Sequence, residues 1–268
     1  MLVILAAPPQ GFAAMSPEEI DAFLAETATA GSLQRLMKIS SMFLQVPYAD
    51  SPLGEGAGNP PDEDPLIRFD AADCTTFLET SMALARSSSL KEAREVLRKI
   101  RYTGGRIDYR RRKHFMMAQW IPQNQKAGFI RDITRQVGGD SVPIAKKRLN
   151  AEVWEQRRTK DTWPQLAPGD IPEGVFTLPI IPIDRAREMV DEIPAGTILN
   201  VVRVDYRSMP VRVTHQGLVV VRRGKRYLRH AARAGYQRVV DELLDTFLRR
   251  NSAYKKWPVA GINLQKIM

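Results

Sequence analysis

Helical spacing fills the first part of this chain, and strand-like runs fill its last third. That segregation constrains the fold most, because helices and strands kept apart along a sequence pack as an α+β domain, not as alternating βα units. Ser16-Pro17-Glu18-Glu19 is a capping box with proline at the first helical position, followed by an apolar stripe of Ile20, Phe23, Leu24 and Ala28. Leu33, Leu36, Met37 and Met42 predict a second helix after Gly31-Ser32. Thr75 to Ala85 predicts a third, with Phe77, Leu78, Ser81, Met82 and Ala85 at helical spacing. Ser89-Leu90-Lys91-Glu92 reads as a second capping box, with Ala93, Val96, Leu97 and Ile100 behind it. From Gly196 the texture changes: 197–204, 211–222 and 226–231 are rich in Val, Ile and Leu, as in strands. Asp184 to Glu192 predicts a short helix, Val239 to Arg249 a longer one, and Gly261-Ile262-Asn263-Leu264 a last strand. The prolines of 140–195, with Trp154 and Trp163, predict short strands and loops.

No apolar run approaches the ~20 residues of a membrane helix. The net charge of +10 implies attraction to polyanions, whether anionic cell-wall polymer, a membrane surface or nucleic acid. The basic run Arg110-Arg111-Arg112-Lys113 reads as a phosphate-binding patch or a solvated face. It lacks aromatic interleaving and sits in no nucleic-acid motif, so nucleic acid is not an expected partner. Residues 1–15 read as a signal segment lacking its basic start, or as a disordered tail.

Cys74 is the lone cysteine, so no internal disulfide can staple the fold. Its place at the start of the third helix puts a thiol where unpaired N–H groups and the helix dipole favour an anion. Asp70 and Asp73 oppose that effect, so the thiol needs a base. The Cys74 N–H and its helix-terminal neighbours offer donors for an oxyanion. The proline- and glycine-rich stretch 45–69 reads as a long loop leading to the cysteine. Three histidines are available: His114, His215 and His230. His215 falls on a strand that is apolar on both faces, hence central. If Arg223-Gly224 is the turn, Arg222 pairs with Lys225 and His230 falls opposite Gly217. His215 and His230 then share a face as diagonal neighbours, about 7–8 Å apart. A nucleophile, a base and a group orienting the base make a thiol hydrolase: Cys74 attacks, His215 moves the proton and His230 holds its tautomer. No cofactor or metal is required, and no zinc-ligand spacing occurs.

Asp-Cys at a helix start, Thr-His-Gln-Gly on one strand and His-Ala on the next resemble the NlpC-type papain-like cysteine hydrolases of bacterial cell walls. Asp73-Cys74-Thr75-Thr76-Phe77-Leu78-Glu79, Ile100-Arg101-Tyr102, Tyr109, Arg112, His114, Trp120-Ile121, Asn124 and Asp132-Ile133-Thr134 are similar to one branch, the N-acetylmuramoyl-L-alanine amidase-like family. The resemblance implies a papain-like fold with the nucleophile helix packed on a central antiparallel sheet. It implies one domain over 16–268, with extra helices and loops inserted at about 86–195. It implies a Cys74-His215-His230 triad, Tyr48 over the cysteine, and substrate-binding roles for Arg112, His114 and Asp132. Packing beside Trp120 is the competing reading of His114. The implied substrate is peptidoglycan or a muropeptide, cut between N-acetylmuramic acid and L-alanine. A stem-peptide endopeptidase and a non-catalytic basic wall-binding protein are the alternatives. The implied location is the periplasm or beyond, with the cytoplasm left open.

Overall fold

The computed structural model describes residues 11–156 and 166–268; Trp163 and residues 1–10 of the expected leader lie outside them. Four helices come first: α1 (Pro17–Glu26), α2 (Ser32–Ser41), α3 (Cys74–Leu84) and α4 (Leu90–Arg101). The middle holds α5 (Ile121–Lys126), β1 (Ile130–Asp132), α6 (Thr134–Gly138), β2 (Ile144–Leu149), α7 (Ala151–Gln156), β3 (Gly174–Pro179), β4 (Ile181–Pro182) and α8 (Ile183–Glu188). The chain ends with β5 (Thr197–Arg203), β6 (Val213–Arg222), β7 (Lys225–Ala232), β8 (Arg238–Leu243), α9 (Leu244–Ser252) and β9 (Val259–Ile267). Seven strands form one antiparallel sheet in the order β1-β9-β5-β6-β7-β8, with β4 also on β9; β2 and β3 pair separately. This is an α+β fold.

Alternation along β5 and β6 sends side chains to two cores. Ile198, Val202, Leu218 and Val220 meet Phe77, Leu78 and Met82 of α3. Leu199, Val201 and Val219 meet Phe247 and Leu248 of α9 and Ala186 of α8. Phe77, Leu78, Met82 and Leu84 are each fully buried, and each such side chain stabilises the fold by roughly 1.5–3 kcal/mol. The helix that begins at Cys74 is therefore pinned to the sheet.

The first capping box forms as read, with Ser16 and Glu19 bonding each other's backbone N–H. The second is out of step: Ser89 caps Glu92 N–H, but the Glu92 carboxylate accepts from Ser88 N and Oγ. Residues 239–243, expected to be helical, instead belong to edge strand β8, with Val239 opposite Ala231. Cross-strand pairing outweighs a helical pattern here, and α9 begins only at Leu244. The last strand is longer than expected and lies inside the sheet between β5 and β1. Its polar positions Asn263 and Gln265 disguised it, because their amides are buried as hydrogen-bonding groups. Residues 11–15 of the expected leader or tail are folded: Phe12 is buried against Phe23, Phe43 and Phe69.

Candidate active site

Asp73 is the N-cap of α3. Its Oδ1 accepts from Thr75 N at 2.9 Å and Thr76 N at 2.7 Å, while Asp73 N donates to Thr76 Oγ1 at 2.9 Å. Two helix-terminal N–H groups expected for an oxyanion are thus already used by the cap. The Cys74 N–H is the donor of that set left at the thiol. Asp70, expected to act on the thiol, lies at the surface in a bidentate pair with Arg68.

The turn between β6 and β7 is as deduced. Arg223 and Gly224 both take positive φ, 50° and 74°, as a type I′ turn requires, and Arg222 pairs with Lys225. The pairing of β6 with β7 begins at Leu218. Just upstream, the Gln216 backbone lies close enough to Cys74 to favour its thiolate. The residue preceding Gln216 is His215, whose imidazole packs on Phe247 of α9. A bulge between β5 and β6, where Val201 faces His215 but Val202 faces Val213, re-aims this stretch.

His215 Nε2 lies 2.7 Å from His230 Nδ1. His230 is 2 % exposed, and its Nε2 lies 3.2 Å from Glu242 Oε2. Arg250 Nη2 donates to the same carboxylate oxygen at 2.8 Å. Phe247 packs against both imidazoles. Burial alone raises the Glu242 pKa, but the hydrogen bonds from His230 and Arg250 outweigh it and hold the group below the ordinary carboxylate value. An ionised Glu242 accepts only, so His230 carries its proton on Nε2 and presents Nδ1 as an acceptor. His215 then donates from Nε2, which leaves its Nδ1 lone pair unprotonated. The relay thus selects the tautomer a general base needs. Glu242 and Arg250 were missed in the sequence because 239–249 reads as helix. On a strand, Glu242 is the diagonal same-face neighbour of His230, by the logic that joined His230 to His215. Glu242→Gln is expected to lower kcat by about 10-fold or more with KM nearly unchanged, since an orienting group is worth less than the base itself. Steady-state kinetics on a soluble amide substrate would reveal an unchanged kcat if the relay is idle.

Burial, reinforced by the Asp73 charge, pushes the Cys74 thiol up to about 12; the Gln216 backbone and Thr75 only partly offset this. Burial, then the His230 and Arg250 charges, holds His215 well below its usual value. Both shifts favour the uncharged forms, a neutral thiol and a neutral imidazole. Alkylation of Cys74 by iodoacetamide should therefore accelerate steadily from about pH 6 to about pH 10, tracking the thiolate fraction. A rate independent of pH across that range would indicate a thiolate–imidazolium pair.

Tyr48 is clamped by its backbone. Tyr48 N donates to Gln237 O at 2.9 Å, and Ala72 N donates to Pro47 O at 3.0 Å. This holds Tyr48 beside the strand that enters α3, within electrostatic reach of Cys74. Its hydroxyl donates to Asp50 Oδ1 at 2.8 Å, and burial, then Asp50, raises its pKa.

Arg112 is committed elsewhere. It donates to Glu55 Oε1 at 2.8 Å, Glu55 Oε2 at 2.7 Å and Asp62 Oδ2 at 2.8 Å, and so latches the 45–69 loop. His114 donates from Nε2 to Tyr109 O at 2.7 Å and packs on Tyr109 and Phe115, not on Trp120. Burial lowers its pKa to about 4. Lys113 is buried on the carbonyls of Lys99 and Ile100. The basic run is thus no single patch, since two of its members are internal. Asp132 ends a buried amide ladder across the sheet. Thr75 Oγ1 donates to Gln216 Oε1, Gln216 Nε2 to Asn200, Asn200 Nδ2 to Asn263, and Asn263 and Gln265 both donate to Asp132 Oδ2 at 2.7 Å. His215 meets His230, and Tyr48 lies within electrostatic reach of Cys74; Arg112 latches the loop, His114 packs on Tyr109, and Asp132 is the far end of the ladder. Among the described residues, no group of three His, Cys, Asp or Glu is placed to hold a metal ion, and no helix is long and apolar enough to cross a membrane.

A Legionella pneumophila protein of known structure is similar over 94 % of both chains, with a TM-score of 0.83 and 24 % identity. A Bacteroides uniformis N-acetylmuramoyl-L-alanine amidase is similar over 88 % of this chain and 98 % of its own, with a TM-score of 0.68 and 22 % identity. At such identities the likeness is one of fold. No curated protein matches the sequence. The model of the N-acetylmuramoyl-L-alanine amidase-like (AmiA-like) family matches residues 38–254, which span both the Cys74 helix and the His215–His230–Glu242 relay. The chain belongs to that family.

Proposed function

We propose that this protein is a cysteine amidase that splits the bond between N-acetylmuramic acid and L-alanine in peptidoglycan or its fragments, on an NlpC-type papain-like fold and outside the cytoplasm. One observation carries the reading: a hydrogen-bonded relay, His215–His230–Glu242, starts one residue from Gln216, whose backbone acts on the chain's lone thiol at a helix start. As Cys74 Sγ attacks the amide carbonyl carbon, its proton passes to His215 Nδ1. The Cys74 N–H lies at the forming oxyanion, and the charge on His215 is spread through His230 to Glu242. Collapse breaks the C–N bond, and His215 returns the proton to the departing L-alanine nitrogen. Water, activated by the same imidazole, then hydrolyses the thioester and releases the muramyl carboxylate. Because thiol and imidazole both start neutral, one proton transfer makes both charges, and only in the transition state does the relay act fully.

Wild type and Cys74→Ala should be incubated with purified peptidoglycan and with a soluble muropeptide, and the products read by mass spectrometry. The expected product is free peptide beginning at L-alanine, from wild type only. Cleavage inside the stem would instead make the protein an endopeptidase, and product from Cys74→Ala would end the thiol mechanism.

A further inference from the structure

Three aromatic rings stand at the surface where β5 ends and β9 begins. Tyr206 is 40 % and Tyr254 45 % exposed. Tyr206 lies beside the partly exposed Trp257, with ring centroids 6.1 Å apart and planes only 16° apart. Trp257 Nε1 donates to Val204 O at 2.9 Å, which fixes the indole. The Arg203 guanidinium sits 5.0 Å from the Tyr254 ring centroid and donates to Trp257 O at 2.8 Å. The same Arg203 donates to Thr214 Oγ1 at 3.0 Å, and its charge acts on His215, the next residue. One arginine thus ties the three-ring platform to the proposed base.

Scattered exposed aromatics need no explanation, but a nearly parallel, stacked pair locked by an indole hydrogen bond is an ordered surface. The face of an aromatic ring is electronegative. A pyranose ring presents a flat array of polarised C–H groups that complements it, whereas an extended peptide has no such flat face. Lys255 and Lys256, both exposed between Tyr254 and Trp257, suit a polymer that also carries carboxylates.

We infer that Tyr206, Trp257 and Tyr254 form a saccharide subsite holding an N-acetylhexosamine ring of the glycan strand beside the scissile amide. This rests on the amidase reading, in which the attacked carbonyl belongs to the muramic acid substituent, so a sugar ring must lie within a few bonds of Cys74. An endopeptidase acting on free stem peptides has no use for such a platform.

Two measurements test it separately from the amidase reading. First, N,N′,N″-triacetylchitotriose is titrated into full-length Cys74→Ala by calorimetry, alone and combined with Trp257→Ala or Tyr254→Ala. Binding is expected in the parent, weakened about tenfold by each ring removal and retained in Tyr254→Phe. Tyr254 is largely exposed, so its truncation opens no core cavity and guards against a folding artefact. Second, on a disaccharide-bearing muropeptide, Trp257→Ala and Tyr254→Ala should raise KM about tenfold with kcat little changed. No binding by the parent, or binding and KM unaffected by ring removal, would overturn the subsite. Failure of the amidase reading shows differently: wild type would release no peptide beginning at L-alanine, whatever the titration gives.

Discussion

Cys74→Ala and His215→Ala should each lower amide hydrolysis by about 1,000-fold or more, with melting temperatures close to wild type. The thiol cannot be replaced by water, because nothing else at the α3 terminus is a nucleophile. Asp73 is spent on capping Thr75 and Thr76, and Thr75 Oγ1 donates to Gln216. The imidazole is equally indispensable, since the thiol is pushed up to about 12 and stays protonated without a base. The two losses should not add. Once the base is gone the nucleophile is inert, so the double variant should be little slower than either single one. Initial rates on a soluble muropeptide, with circular dichroism as the folding control, check this. A single variant retaining a tenth of wild-type activity would require another nucleophile or base.

Glu79→Ala should destabilise the protein by about 3–5 kcal/mol, a drop of roughly 10 °C in melting temperature for a chain of this size. Glu79 is buried one α3 face away from the site. Its Oε2 accepts from Arg101 Nε and its Oε1 from Trp120 Nε1, each at 2.8 Å. Arg101 and Glu79 side chains are both 3 % exposed. Removing the carboxylate leaves a buried guanidinium without its anion and a buried indole N–H without its acceptor. Losing several kcal/mol matters against a total stability of about 5–15 kcal/mol. Replacing both partners, as in Glu79→Leu with Arg101→Met, should cost far less than the two single losses combined, because no charge is then stranded. Thermal melts of the three variants decide it; additive losses would mean that the pair is not coupled.

The cluster also gives physical content to the family-like residues Glu79, Arg101, Trp120 and Asn124. None touches the thiol. Asn124 accepts from buried Lys113 and donates to Ile100 O, so these residues bolt α3 and α4 to α5. Motif and function part company here, since part of the motif is there to hold the helix that carries Cys74.

What the sequence determined by itself were the local facts. A Ser-Pro-Glu-Glu box started a helix, Asp73 capped the helix that begins at the thiol, and a two-residue turn at Arg223-Gly224 set the register that put His215 and His230 on one face. Each follows from backbone geometry within a few residues or across one hairpin. The tertiary structure alone decided what those groups meet. Reading β8 as helix hid Glu242, the group that orders the tautomers. The approach of the Gln216 backbone to the thiol depends on how α3 packs on β6. The latch that claims Arg112 joins residues some fifty positions apart. The ionisation of Cys74 was settled the same way. A helix terminus favours the thiolate through the first turn only, whereas desolvation sums over every segment packed around the sulfur, and that sum is a property of the folded chain.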